Sequence, residues 1–388
     1  MRVVLAGGGT AGHIQPALAL ADALRRDDPT IGITCLGTER GLETRLVPAR
    51  GYELALIPAV PLPRSFTPEL LTVPTRMAGA VSATAGILDR LAADIVVGFG
   101  GYVATPAYFA ARRRDVPIVV HEANPYPGLA NRLGARFAER VTVAHAETEL
   151  PRATHIGIPL RQSIATLDRL REGDAARAHF GLRPDLPTLL VSGGSQGARS
   201  INQAAAASAR DIAAAGVQVL HVTGSSNTVD VDRAPDGPPY VTVPYVDNME
   251  LAYAAADIAL CRAGAMTCAE LTAVGLPAAY VPLPVGNGEQ RLNARPIAQA
   301  GGGLLVEDSE LGPTWIRDTL LPVLGDPDRV AEMSEAASRL GRRDADTTLA
   351  RIVTQIGAHT ATEAAHPEGE RREARAEGHD GPEQRGVS

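Results

Sequence analysis

Residues 3–24 read VVLAGGGTAGHIQPALALADAL, and residues 189–209 read LLVSGGSQGARSINQAAAASA. Each stretch is an apolar run, a glycine-rich turn and a helical pattern. Unbroken Val/Leu runs mark strands buried on both faces. Glycine lets the chain turn sharply where a Cβ would clash. Two such units half a chain apart imply two Rossmann-like halves facing each other. The same alternation continues outward, with strands expected at Arg2–Ala6, Ile31–Leu36, Asp94–Phe99, Pro117–His121, Arg140–Val143, Thr188–Ser192, Val217–Val222, Tyr240–Val243, Asp257–Cys261, Ala278–Val281 and Gly303–Val306. Helical patterns at Trp315–Leu324, Arg329–Leu340 and Asp344–Ile356 follow. The reading is an α/β chain of two doubly wound parallel sheets. The crossover is expected near Pro159–Ile164, dividing the chain into units 1–161 and 162–342. Residues 361–388 are polar, rich in Glu, Arg, Gly and Pro, and are expected to form a disordered tail.

The bulk numbers exclude several classes. The chain has 388 residues, is 45% hydrophobic and carries a formal charge of -7, which disfavours nucleic acid as a partner. All 37 cationic residues are arginine, so lysine Schiff bases and a P-loop lysine are ruled out. The cysteines Cys35, Cys261 and Cys268 are widely spaced and form no CxxC pair, which argues against a zinc site or a disulfide framework and fits a reducing cytoplasm. The N-terminus enters a strand directly, without the pattern of a signal peptide. The uncharged stretches Ile95–Ala111 and Leu271–Gly288 are broken by Gly and Pro, so membrane contact is expected to be peripheral.

Gly7-Gly8-Gly9-Thr10-Ala11-Gly12 satisfies GxGxxG after a strand and before a helix, which alone would suggest a dinucleotide site. Three features oppose that. Leu36-Gly37-Thr38 stands where an acid is expected, with Glu39 coming late. His13 opens the helix, where it can face a ligand. A second loop, Gly193-Gly194-Ser195-Gln196-Gly197, points to a ligand held between the halves. The bland alternative is that both loops only permit tight turns. The stretch Cys261–Glu270 also follows a strand and opens a helix, whose free N–H groups suit a pyrophosphate. Glu270 could bind a ribose diol or merely complement the helix dipole. The amides of Gln290 and Asn293 suit sugar hydroxyls, because they both donate and accept.

The runs GGGTAGH (Gly7–His13), GFGGY (Gly98–Tyr102), HEANPYPGLANR (His121–Arg132), GIPLR (Gly157–Arg161), GGSQGA (Gly193–Ala198) and CRAGAMTCAE through GEQRLNA (Cys261–Ala294) together resemble the MurG family, in the family's order, over about residues 2–355. Members are UDP-N-acetylglucosamine:undecaprenyl-diphospho-muramylpentapeptide N-acetylglucosaminyltransferases of peptidoglycan synthesis. The resemblance implies the GT-B glycosyltransferase fold, two Rossmann-like domains with a central cleft, and inversion of the anomeric centre. It implies UDP-GlcNAc bound by the second domain, no cofactor, and a C-terminal helix at about 343–357 packing back on the first domain. The partners it implies are the undecaprenyl-linked muramylpentapeptide, the cytoplasmic face of the cell membrane and other cell-wall synthesis proteins.

By the family pattern Thr10, Ala11 and Gly12 border the acceptor diphosphate, and His13 is the general base. Asn124 contacts the donor sugar, and Arg161 and Ser195 contact its sugar–phosphate side. Val246 presents backbone to the uracil. Ala265, Met266, Thr267, Cys268 and Ala269 lie against the diphosphate, Glu270 on the ribose and Gln290 on the GlcNAc hydroxyls. The chain departs from the pattern at Ala11, where glycine is usual, at Glu289, where His or Gln is usual, and at Ile158, where Asn is frequent.

Other candidates carry less. His121 and His221 each end an apolar strand and are expected to be structural. Asp230-Val231-Asp232 matches the DxD metal motif of another glycosyltransferase class, but similar matches at Asp326–Asp328 and Asp344–Asp346 show how easily it arises, and no essential metal is expected. For membrane docking, Pro61–Ala80 offers Leu62, Phe66, Leu70, Leu71, Val73 and Met77 with Arg64 and Arg76, and Arg112, Arg113 and Arg114 could add charge. An ordinary surface helix is the alternative there. The rival functions are an NAD-dependent oxidoreductase, a non-catalytic UDP-sugar-binding protein, and a transferase of the same fold with another lipid acceptor.

Overall fold

The computed structural model describes residues 1–60, 72–194, 196–285 and 288–365, with side chains through 358. Among them, the apolar runs form two sheets in which every pair is parallel. The first contains β1 (Arg2–Gly7), β2 (Gly32–Gly37), β3 (Glu53–Leu56), β4 (Ile95–Gly100), β5 (Ile118–Glu122), β6 (Arg140–Val143) and β7 (Ala153–His155), in the order β3-β2-β1-β4-β5-β6-β7. The second contains β8 (Thr188–Ser192), β9 (Gln218–Val222), β10 (Tyr240–Val243), β11 (Ile258–Arg262), β12 (Ala278–Val281) and β13 (Gly303–Leu305), in the order β10-β9-β8-β11-β12-β13. The expected strands are present. Two were missed, β3 and β7. Their short sequences, ELAL and ATH, are largely exposed and lack a buried apolar run.

Each sheet has helices on both faces, so each has a core on either side. Val3, Leu5, Ile95 and Val97 point to one side of the first sheet; Val4, Ala6, Val96 and Val120 point to the other. The second sheet divides in the same way. Strand order reverses beside the first strand of each sheet, between β1 and β4 and between β8 and β11. Ligands of open parallel sheets bind in the crevice at that reversal, outside the carboxyl ends of the strands.

The chain closes on itself. Helix Ala345–Ala365 buries Leu349, Ala350 and Val353 in the core of the first sheet with Leu18 and Ile95. Arg26 and Asp346 pair across that contact at 3.0 Å. The helix extends through Ala365, so residues 361–365 of the expected tail are helical. The rest of that segment lies outside the described residues. The expected Trp315–Leu324 helix is Pro313–Trp315, a π-helical stretch Ile316–Leu320 and Leu321–Leu324 in succession.

Two fully buried histidines tie strands together. Thr142 Oγ1 donates to the Val120 carbonyl at 3.2 Å and accepts from His121 Nδ1 at 3.0 Å. His221 lies between Tyr240 Oη at 3.0 Å and Asn202 Oδ1 at 3.1 Å. Burial pushes the first down to about 3 and the second down to about 4. Both stay neutral in the fold but protonate near pH ~6.5 once unfolded. The unfolded chain therefore binds more protons below that pH. The stability they contribute is whole above about pH 6.5 and falls toward pH 4, by about 1.4 kcal/mol per pH unit for each histidine. Urea midpoints should drop steeply between pH 6.5 and 4.5, and His221→Gln should make that drop shallower; a flat profile in the parent chain would contradict the assignment.

Candidate active site between the strand ends

At the first reversal, β1 turns through Gly8 and Gly9 into helix Ala11–Asp27. Thr10 caps the helix in an extended conformation without a side-chain bond to its backbone amides, so the first amides of that turn are left to other partners. His13 stands one turn in. Its Nδ1 is 3.2 Å from the Gly8 carbonyl oxygen and 3.1 Å from Thr10 Oγ1. The ring lies against the loop after β4. A Cβ on Gly101, at φ +80, would fall 2.2 Å from Gly8 O and 3.2 Å from His13 Nδ1, so only glycine fits there. Thr10 is exposed, and Ala11 and Gly12 are half-buried beside it.

Sequence reading missed the two acids that shape this wall. Glu43 is fully buried, and its carboxylate accepts from Thr38 N at 2.9 Å, Thr38 Oγ1 at 3.1 Å and Gly9 N at 3.1 Å. It follows the end of β2 and is turned inward onto Thr38 and Gly9, so it cannot hold a ribose diol. A dinucleotide reading is left with the GxGxxG pattern and no help from this acid. Glu122, at the end of β5, accepts from Asn124 N, Gly128 N and Asn131 Nδ2, each at 2.9 Å. It thereby fixes the loop that presents the half-buried Asn124. The only signal in the sequence was an acid at a strand end before a Pro/Gly-rich loop.

At the second reversal, β11 leads through Gly264 into helix Ala265–Val274, again without a side-chain cap. Helix geometry leaves the amides of Ala265, Met266 and Thr267 without intrahelical acceptors. Cys268 N–H donates to Gly264 O at 2.9 Å and its thiol packs in the core, so its backbone amide is not open to a ligand, though the residue lines the cavity. Met266, Ala269 and Val246 lean on that same core. Glu270 accepts from Tyr253 Oη at 2.7 Å and faces Arg161 Nη2 at 3.8 Å. Burial raises the Glu270 carboxyl above the ordinary range, against the opposing pull of Arg161 and the Tyr253 hydroxyl. Gln290 Oε1 accepts from Leu283 N at 3.0 Å. Asn293, expected to meet sugar hydroxyls, spends its NH2 on Ala263 O at 3.0 Å and keeps a buried Oδ1 with no protein partner. Of the second glycine loop, Ser195 lies outside the described residues; Gln196 O accepts from Asn227 Nδ2 at 2.8 Å.

The two walls meet. Arg161 comes from the end of the first half and Glu270 from the second. A cavity of about 490 Å³ is lined by Pro125, Tyr126 and His145 from one side and Ala265, Ala269 and Asn293 from the other. The DxD motif lies elsewhere: Asp232 is bound bidentately by Arg210, at 2.6 and 3.1 Å, and Asp230 is exposed. No group of three His, Cys, Asp or Glu side chains suited to a metal occurs among the described residues.

The expected docking patch is divided. Leu62, Arg64, Phe66, Leu70 and Leu71 lie outside the described residues. Val73, Arg76 and Met77 begin helix Val73–Leu91, and Arg76 donates to Ala59 O at 3.0 Å. Nineteen residues of helix span about 28 Å. Arg114 pairs with Asp89 at the far end of that helix, at 2.7 Å. The run Arg112–Arg114 therefore lies away from Arg76 and does not extend its patch. No helix among the described residues is long and apolar enough to cross a membrane.

Comparison with known proteins agrees with this layout. Residues 3–143 match the glycosyltransferase family 28 N-terminal domain and residues 188–349 its C-terminal domain. A Thermobifida fusca protein named UDP-N-acetylglucosamine–N-acetylmuramyl-(pentapeptide) pyrophosphoryl-undecaprenol N-acetylglucosamine transferase is 68% identical over 92% of this chain and 94% of its own length. A Streptomyces avermitilis protein of the same name is 66% identical over 91% of this chain and 98% of its own. The crystal structure of Acinetobacter baumannii MurG superposes with a TM-score of 0.73 at 25% identity, covering 91% of this chain and 99% of that one. The chain belongs to glycosyltransferase family 28 and, within it, to the MurG family of N-acetylglucosamine transferases.

Proposed function

We propose that the chain transfers N-acetylglucosamine from UDP-GlcNAc to muramylpentapeptide carried on pyrophosphoryl-undecaprenol, inverting the anomeric centre. The observation that carries this is the pairing of unlike walls: a histidine beside open amides on the first sheet, and a buried acid and a bare helix N-terminus on the second, with Arg161 reaching from the first half toward that acid. The first wall belongs to residues 1–161 with helix Ala345–Ala365, and the second to residues 162–342.

The second wall holds the donor. Amides of Ala265, Met266 and Thr267 with Arg161 bind the diphosphate and take up the charge that grows on departing UDP. Glu270 binds the ribose, Val246 lines the uracil, and Gln290 with Asn124 and Ser195 orients the sugar side. The first wall holds the acceptor diphosphate at Thr10, Ala11 and Gly12. His13 Nε2 takes the proton of the acceptor hydroxyl as its oxygen attacks the anomeric carbon opposite UDP. The new C–O bond forms as the bond to UDP breaks. Arginine and helix amides supply the positive field, so no metal or cofactor enters the step. The acceptor's lipid puts the reaction at a membrane surface, which we place at the cytoplasmic face.

Three outcomes test this reading. His13→Ala should keep UDP binding and lose transfer roughly 10²-fold or more, measured with labelled UDP-GlcNAc and a short-chain acceptor analogue. Near-parent turnover would remove His13 from the chemistry. Glu270→Gln should raise KM for UDP-GlcNAc roughly tenfold or more with a smaller change in kcat, because it removes a charged partner in donor binding; an unchanged KM would take Glu270 off the ribose. Charge reversal at Arg64 and Arg76 together should weaken sedimentation with anionic liposomes, and equal binding would reject that docking face.

A further inference from the structure

The Gly8–Gly9 peptide is held from both sides. Its N–H, on Gly9, donates to Glu43 Oε2 at 3.1 Å, and its carbonyl oxygen, on Gly8, lies 3.2 Å from His13 Nδ1. A trans peptide directs those two groups in opposite directions. We infer that Glu43 is a positioning residue for His13, acting through this one peptide: carboxylate, amide and imidazole form a line that fixes the proton on Nδ1 and leaves Nε2 bare to receive the acceptor's proton. The inference rests on His13 being the base.

The tautomer follows from the carbonyl. Gly8 O carries no hydrogen, so a bare Nδ1 at 3.2 Å would set two lone pairs against each other. Thr10 Oγ1, at 3.1 Å, can donate or accept and decides nothing. With Nδ1–H on the carbonyl, Nε2 is the free acceptor. The charge then matters. Glu43 is fully buried, and among the described residues no arginine or histidine pairs with it; its donors are Thr38 N, Thr38 Oγ1 and Gly9 N. A buried carboxylate held only by neutral donors has no counter-ion to cancel its field. It polarises the amide it accepts from, which strengthens the carbonyl as an acceptor. When the imidazole gains its second proton, that carbonyl faces the new positive charge. The junction also has no room for slack. A Cβ on Gly41 would fall 2.0 Å from the Glu43 carboxylate, and one on Gly101 would fall 2.2 Å from Gly8 O.

The experiment is nitrogen NMR of the full chain with labelled histidine, His13 being assigned by its loss in His13→Gln, together with steady-state kinetics. In the parent chain at alkaline pH, His13 should show a protonated Nδ1 and a bare Nε2, the minor form of free histidine. Glu43→Gln cannot accept from both Thr38 and Gly9 without turning its NH2 toward one of them. It should move His13 toward the Nε2–H form and lower kcat roughly 10- to 100-fold, with KM for UDP-GlcNAc unchanged. A parent His13 in the Nε2–H form overturns the inference without any variant, and so does Glu43→Gln with parent kcat. If His13→Gln itself turns over normally, the base assignment fails as well. An inactive His13→Gln beside a parent Nε2–H form removes only the role of Glu43.

Discussion

Every strand in both sheets is parallel to its neighbours, and a parallel strand can be reached only by a crossover from the opposite edge. That constraint gathers every strand-to-helix turn at one edge of each sheet. There the helices expose amides that no turn of helix can satisfy. The reversal of order beside β1 and β8 opens a crevice at that edge in each half. Both glycine loops, His13, the Gly264 helix start and the turn after β5 fall at these edges because the topology leaves them no other place.

Buried acids then set what the loops can do. Glu43 and Glu122 each bind backbone N–H groups of turns at the carboxyl ends of the strands, and neither makes an ion pair among the described residues. Such a group costs several kcal/mol to bury unless its hydrogen bonds are complete. Completing them freezes the turn. Glu270 is treated otherwise: Tyr253 takes one oxygen, while Arg161 faces the other at 3.8 Å, too long for a hydrogen bond. Two of the acids serve the scaffold, and the third keeps capacity for a ligand.

The fold was legible because β1, β4, β8 and β11 are unbroken apolar runs followed by glycine. β3 and β7 were not, since they pair at the sheet edges through backbone and bury little side chain. Of the candidate site, the placement was legible where it depends on local order: His13 follows its glycine loop and Glu270 lies within its helix. It was not legible where it depends on distant residues. Glu43 meets Gly9 across 34 positions, and nothing in GLETRLVP announces that its acid points inward. Cys268 and Asn293 line the cavity, but part of each is already engaged by the fold. Their types suit a ligand, but the helix start at Gly264 and the carbonyl of Ala263 had already engaged them.

In the proposed reaction the two walls act on one bond, with the base on the first and the leaving group on the second. A crystal structure with UDP-GlcNAc and a short-chain acceptor analogue bound together tests it most directly. The acceptor hydroxyl should lie within hydrogen-bond reach of His13 Nε2, and UDP on the opposite face of the anomeric carbon, at the Ala265 helix start. An acceptor hydroxyl held by another side chain, or lying on the same face as UDP, would contradict it.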